Sequence, residues 1–226
     1  SGYQSVIVPD MKKKMETAWG CEIAEGKVGL TVTKLVNTLA DEPGKVKCVY
    51  IMGENPMLSD PDLHHVEKGM KNVEFMVVQD IFLTETAEFA NVVLPAACFA
   101  EKDGTQTSTE RRVQKWRKAQ DPPGQAKADW QIFCELAKYM GYEKQFPYKS
   151  PEEIFTEIAK VTPSYGGMNY ARLDKPEALH WPCPTVEHPG TPILHKEKFT
   201  HPDGLGIFTP IEWKPPAEVP DKDYPL

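Results

Sequence analysis

The sequence predicts an α/β fold in which a parallel-sheet βαβ portion is followed by a mixed α+β portion with a proline-rich extended tail. Three observations carry this. Short apolar runs of strand length (VKCVYIM, EFMVV, NVVL) alternate with helical stretches in the first hundred residues, the pattern of a parallel sheet covered on both faces. After Cys98 the texture changes to threonine- and charge-rich extended sequence. Of 21 prolines, 11 fall between Pro176 and Pro225, where no long helix is tolerated.

Taken in order, Asp10 to Trp19 reads as a short charged helix stopped by Gly20. Thr31 caps a second helix, TKLVNTLADE, which the Pro43-Gly44 turn ends. Val46 to Met52 is a near-continuous apolar strand. Asp60-Pro61 opens the next helix, with proline in its first turn, and that helix runs to Lys71. Glu74 to Val78 is a second strand ending in Gln79-Asp80, and Asn91 to Leu94 a third, ended by Pro95. Residues 104–118 read as extended structure. Ala126 to Met140 is a helix with Trp130, Phe133, Leu136, Ala137 and Met140 on one face and Gly141 as its stop. Ser150-Pro151-Glu152-Glu153 caps a last helix through Lys160. The tail reads as short edge strands and extended loops lying on another surface. Its histidines, His180, His188, His195 and His201, are expected at the surface or hydrogen-bonded rather than on a metal.

Composition narrows the function. A net charge of −7 argues against a general binder of nucleic acid or anionic membrane. No apolar run approaches the ~18 residues of a membrane span, and the N-terminus, SGYQSVIVPDMKKK, lacks the apolar stretch of a secretory signal. The five cysteines show no C-x₂-C spacing of a zinc or iron–sulfur site. They are expected to be mostly buried thiols in a reducing compartment.

In an open parallel sheet, ligands sit at the carboxyl ends of the strands, and two such ends are readable. The first, Met52-Gly53-Glu54-Asn55-Pro56 followed by Ser59, combines a glycine for close backbone approach with neutral hydrogen-bonding groups. The second, Gln79-Asp80-Ile81, places a carboxylate where a ribose diol or the N–H donors of a guanine edge would meet it. Well-capped βα turns explain both segments equally well. There is no G-x-G-x-x-G and no Walker loop, so an ordinary NAD or ATP site is not supported. The basic run Arg111, Arg112, Lys115, Arg117 and Lys118 reads as a solvated edge strand, with an inward arginine on a phosphate as the alternative. No catalytic triad is visible.

The segments YIMGENPMLSDPD, VVQDIFLTETAEFANVVLPAA, EKDGTQTSTERRVQ and KADWQIFCELAKYMGY occur in that order, and they resemble the molybdopterin oxidoreductase superfamily, in particular the catalytic subunits of formate dehydrogenase. PSYGGMNYARLDKPEALHWPCP, HPGTPILH and DKDYPL resemble those subunits as well, so the likeness runs from Tyr3 to Leu226. Such subunits are much longer, and the chain looks like their middle. The 4Fe–4S cysteine motif and the metal-ligating cysteine or selenocysteine with its histidine would lie upstream, and a C-terminal cofactor domain downstream. No catalytic residue is therefore placed in this chain.

The resemblance implies that the parallel portion is Rossmann-like and cofactor-binding. Residues 1–98 would be part of a molybdopterin-guanine-dinucleotide-binding domain and residues 99–226 the mixed portion with its tail. Two molybdopterin guanine dinucleotides would carry a molybdenum or tungsten ion. Gly53, Asn55, Ser59, Gln79, Asp80, Ile81, Ala96 and Asp129 would contact one of them. Read locally, Asp129 is only a helix N-cap and Ala96 nothing at all. Similar subunits often carry an aromatic at Gln106 and an asparagine at Ser108, so side-chain contacts there are not carried over. The implied chemistry is oxidation of formate to carbon dioxide or its reverse. Implied partners are the rest of the catalytic subunit and iron–sulfur or flavin electron-transfer subunits, in the cytoplasm unless an upstream signal directs export. The alternatives from other classes are a non-catalytic relative like the large subunit of a respiratory NADH dehydrogenase and an independent nucleotide-binding module.

Overall fold

A computed structural model describes residues 3–24, 28–215 and 219–225. Pro216 of the tail and Leu226, which closes the DKDYPL segment, lie outside the described residues. The chain divides into two compact units, Ser1–Pro192 and Ile193–Leu226.

In the first unit, α1 (Pro9–Trp19) ends at Gly20, whose N–H closes on the Glu16 carbonyl at 2.9 Å. In α2 (Val32–Asp41) the Thr31 hydroxyl accepts from the Lys34 N–H. The strands β1 (Cys48–Met52), β2 (Phe75–Asp80) and β3 (Val92–Pro95) form a parallel sheet in that order. Between β1 and β2 come a single helical turn, α3 (Pro56–Ser59), and then α4 (Leu63–Lys71). The residues Val36, Val66, Met70, Met76 and Val78 form a buried core where α2 and α4 meet the sheet.

Several boundaries differ from the expectation, and two of them shape the carboxyl end of the sheet. The fourth helix starts at Leu63 and not at Pro61, because the Asp62 carboxylate accepts from the His65 N–H and takes the capping role. The second strand continues through Gln79 and Asp80, which pair with Leu94 and Pro95 of β3.

Beyond β3 the parallel ladder extends by one bridge, Ala96 to Lys127, with the Ala97 N–H on the Lys127 carbonyl at 2.8 Å. This bridge delivers α5 (Asp129–Tyr139) to the carboxyl end of the sheet. The N-cap of α5 is Ala128. Its buried residues are Ile132 and Ala137, whereas Met140, expected on the inner face, is 63% exposed because the helix has ended before it.

A second sheet is antiparallel, in the order β4 (Gly104–Thr107), β5 (Arg112–Trp116), β6 (Leu179–His180). The basic run therefore does not lie on an edge strand: β6, contributed by the proline-rich stretch, pairs with β5 on its far side. This sheet, α6 (Pro151–Val161) and α7 (Tyr170–Leu173) share a core of Val113, Phe155, Ala159, Tyr165, Met168, Leu179 and Cys183. Two arginines hold the loops around it. Arg111 donates to the Trp181, Thr191 and Pro192 carbonyls, and Arg172 to those of Gly167 and His188. The inward arginine is thus committed to backbone carbonyls, not to a phosphate.

All five cysteines are free. Only Cys183 is buried, and Cys21 and Cys48 are exposed, so the expectation of mostly buried thiols is corrected. Cys48 begins an outer strand of a three-stranded sheet, and Cys21 follows the end of α1. The second unit, 193–226, contains no helix or strand among its described residues; inside it His195 stacks on Phe199 at 4.9 Å. No helix is long and apolar enough to cross a membrane among the described residues.

Candidate functional site

The carboxyl ends of β1, β2 and β3 open into a cleft of about 500 Å³. A hollow of about 560 Å³ near α1 and α6 is larger but has no charged residue in its lining, so the cleft is the better site for a polar ligand.

The wall after β1 begins at Gly53, whose φ of +64° requires glycine and whose N–H reaches across to the Gln79 carbonyl at 2.9 Å. Asn55 is a loop anchor. Its Oδ1 accepts from the Thr86 hydroxyl (2.7 Å) and the Thr86 N–H (3.2 Å), while its Nδ2 donates to Glu85 at 2.7 Å. That donation holds the Glu85 carboxyl below its usual range. Ser59 stands at the end of α3 with its hydroxyl on the Asn55 carbonyl and Asp60, outside the cleft lining.

At the end of β2, Gln79 is completely buried. Its Oε1 accepts from the Tyr50 hydroxyl and its Nε2 donates to Asp129 Oδ1 at 2.8 Å. Asp80 Oδ1 accepts from the Phe82 N–H at 3.0 Å, a tight turn that leaves Ile81 and Phe82 exposed at the rim. The Ala96 N–H extends the ladder to the Asp80 carbonyl. Asp129 opens α5, where a carboxylate is favoured by the helix dipole.

The structure thus gathers seven of the eight expected residues, all but Ser59, into one lining. It adds one that sequence reasoning missed, Lys102, whose ammonium pairs with Asp129 Oδ2. Lys102 follows the 3-10 turn Phe99–Glu101 beyond β3. It lies in an ordinary charged turn, EKDG, between that 3-10 turn and β4, and nothing in its local sequence marks it. Gln106 and Ser108, the two departures from the resembling subunits, lie outside this lining.

Chemically, the cleft lining combines a carboxylate acceptor, Asp80, a partly exposed ammonium, Lys102, and the buried amide of Gln79. This donor and acceptor set suits an organic ligand that carries both N–H donors and anionic oxygens. Among the described residues, no three His, Cys, Asp or Glu side chains are grouped to hold a metal ion.

A parallel three-stranded sheet with a polar cleft at the carboxyl ends of its strands defines an α/β unit of the kind that binds ligands at those ends. The molybdopterin oxidoreductase family model matches residues 11–139, and the chain belongs to that family. It is 54% identical, over its whole length, to the F420-dependent formate dehydrogenase subunit alpha of Methanocaldococcus jannaschii, of which it covers 32%. It is 36% identical to formate dehydrogenase H of Escherichia coli, covering 31% of it. The assimilatory nitrate reductase catalytic subunit of Bacillus subtilis is also 36% identical, with 32% covered. The chain therefore spans about a third of the length of these relatives. Among solved structures, acetylene hydratase from Pelobacter acetylenicus superimposes with a TM-score of 0.52 at 24% identity, over 74% of this chain and 23% of that one, a likeness of fold.

Proposed function

We propose that this chain supplies part of the binding site for one of two molybdopterin guanine dinucleotides in a formate dehydrogenase catalytic subunit. The family implies a molybdopterin cofactor; the dinucleotide form and the residue roles are this proposal's own. The observation that carries it is the convergence of Gly53, Asn55, Gln79, Asp80, Ile81, Ala96 and Asp129 on one cleft. Asp80 would accept from the guanine edge, Gly53 and Ala96 would let the backbone approach closely, and Asn55 would hold the first loop in shape. Ser59 would act on that loop through the Asn55 carbonyl. When bound, the cofactor with its molybdenum or tungsten supplies two-electron chemistry; this chain's task is to grip its tail and fix its orientation.

For the whole enzyme, the reaction is formate to carbon dioxide, a proton and two electrons, or the reverse. The electrons leave through a 4Fe–4S cluster elsewhere in the subunit and through iron–sulfur or flavin partner subunits. Residues 1–98 would supply most of the cofactor-binding lining, and Lys102 and Asp129 of the following portion would complete it. The five unpaired thiols suit a cytoplasmic setting. The greater likeness to the F420-dependent formate dehydrogenase subunit alpha of Methanocaldococcus jannaschii (54%) than to the nitrate reductase, which is no nearer or farther than formate dehydrogenase H (36% each), favours formate as substrate.

The test is to purify the full catalytic subunit and measure molybdenum, tungsten and acid-released guanine nucleotide, then formate- and nitrate-dependent dye chemistry. About one metal and two guanines per subunit with formate activity, and loss of guanine in Asp80→Ala, support the reading. A loaded subunit active only on nitrate replaces the substrate. A subunit with neither metal nor guanine overturns the reading and leaves a non-catalytic relative.

A further inference from the structure

Four side chains join end to end along the cleft: Tyr50, Gln79, Asp129 and Lys102. The direction of every hydrogen in this chain is set from one end. Lysine only donates, and its ammonium on Asp129 Oδ2 keeps that carboxylate an acceptor. The bond at 2.8 Å to Asp129 Oδ1 must then come from the amide nitrogen of Gln79. With its nitrogen committed, Gln79 turns its oxygen to Tyr50, and the Tyr50 hydroxyl has to be the donor. Gln79 is completely buried in the central strand of the parallel sheet, so without that hydroxyl its oxygen would be buried with no donor.

The Tyr50 ring is held separately, stacked on Phe133 of α5 with centroids 5.8 Å apart. The hydroxyl is therefore free to serve the amide alone. Burial, and after it the Asp129 carboxylate, push the Tyr50 phenol above its usual value, so it remains a protonated donor at neutral pH.

We infer that Tyr50 is a positioning residue of the cleft: its hydroxyl locks the Gln79 amide, which fixes the Asp129 carboxylate and, through it, the Lys102 ammonium in the orientation that meets the anionic tail of the cofactor. The inference rests on the cofactor-site reading above. Tyr50 touches no ligand itself and acts only through Gln79.

The experiment uses the cofactor-loaded full subunit and follows the rate at which bound guanine nucleotide is lost, with metal content as a second readout. Tyr50→Phe keeps the ring and its stacking and removes only the donor. A buried acceptor left unmade corresponds to roughly a tenfold faster loss. In a Gln79→Leu background the same Tyr50→Phe change is expected to add nothing, since both polar ends are then gone. An unchanged rate in Tyr50→Phe overturns the inference. So does an equal acceleration in both backgrounds, which would mean that the hydroxyl acts independently of the amide. Should Tyr50→Phe fail to fold, recovery of folded protein in the double variant supports the same coupling, and failure of both overturns it. A wild-type subunit without guanine nucleotide rejects the cofactor reading itself, an outcome separate from any of these.

Discussion

Thr86→Val isolates the device that shapes the first wall of the cleft. Thr86 is completely buried at the start of the 3-10 turn Thr86–Phe89. Its hydroxyl accepts from the Met57 N–H of α3 at 3.1 Å and donates to Asn55 Oδ1 at 2.7 Å. One side chain thus ties the loop after β1 to the segment behind β2. Valine has the same shape and removes only the hydrogen bonding. Two bonds are lost at about 1 kcal/mol each, and the half-buried Met57 N–H left without an acceptor adds about 1 kcal/mol more. A buried methyl in place of the hydroxyl returns about 0.8 kcal/mol. The expected destabilisation is about 2 kcal/mol, within the range of a broken buried network. In urea unfolding followed by circular dichroism, that shifts the midpoint down by about 1 M at an unchanged slope of about 2 kcal/mol/M. Asn55→Ala and Thr86→Val should also be coupled, the pair costing less than the sum of the single changes by at least about 0.5 kcal/mol. A midpoint shift below about 0.2 M, or strict additivity, would refute the anchoring role of this pair.

Gly167→Ala should be among the most damaging single changes. An added Cβ would lie 1.8 Å from the Thr185 carbonyl oxygen, against backbone that cannot step aside while the Gly167 N–H holds the Cys183 carbonyl at 2.7 Å. A loss of more than about 3 kcal/mol is expected, seen as a lowered melting midpoint or insoluble protein; a melting midpoint equal to wild type would show that the 183–185 segment is not packed this way. The Tyr148 phenol is pushed up to about 12 by burial and then by its bond to Glu157. Because the folded value lies above the unfolded one, its stabilising contribution is complete below pH ~10 and is lost as the pH rises from there towards 12. Wild type should therefore lose more stability than Tyr148→Phe across that window, with a late-titrating phenolate band at 295 nm missing in the variant; identical pH profiles would exclude the shift.

The parallel sheet was legible because its strands are written as short, nearly unbroken apolar runs, VKCVYIM, EFMVV and NVVL, although cover on both faces was overestimated: the central β2 has three buried residues, β1 one and β3 none. The antiparallel sheet was half legible. Its β4–β5 hairpin lies in a threonine-rich stretch, but β6 is only two residues long. Two residues carry no periodicity, so the basic run read as an edge strand and proved to be the central one. Boundaries failed where two adjacent groups competed: Asp62 displaced Pro61 as the start of α4, and Ala128 displaced Asp129 as the N-cap of α5. That last displacement matters for the cleft. A carboxylate that is not capping its own helix is available to something else, and Asp129 uses its two oxygens on Gln79, 50 residues earlier, and Lys102, 27 residues earlier. Tyr50 reaches Gln79 across 29 residues. At each of these positions the residue is ordinary in its local setting: a strand tyrosine, a strand-end amide, a lysine in a charged turn, an acid in the first turn of a helix. Local reading of the sequence cannot assign them a joint role, because the role is created by the parallel ladder and the Ala96–Lys127 bridge. The resemblance reached Gln79 and Asp129 because it compares whole ordered motifs, yet it passed over Tyr50 and Lys102. Their joint role rests on the direction of each hydrogen bond, from a lysine that can only donate to a tyrosine hydroxyl that has to.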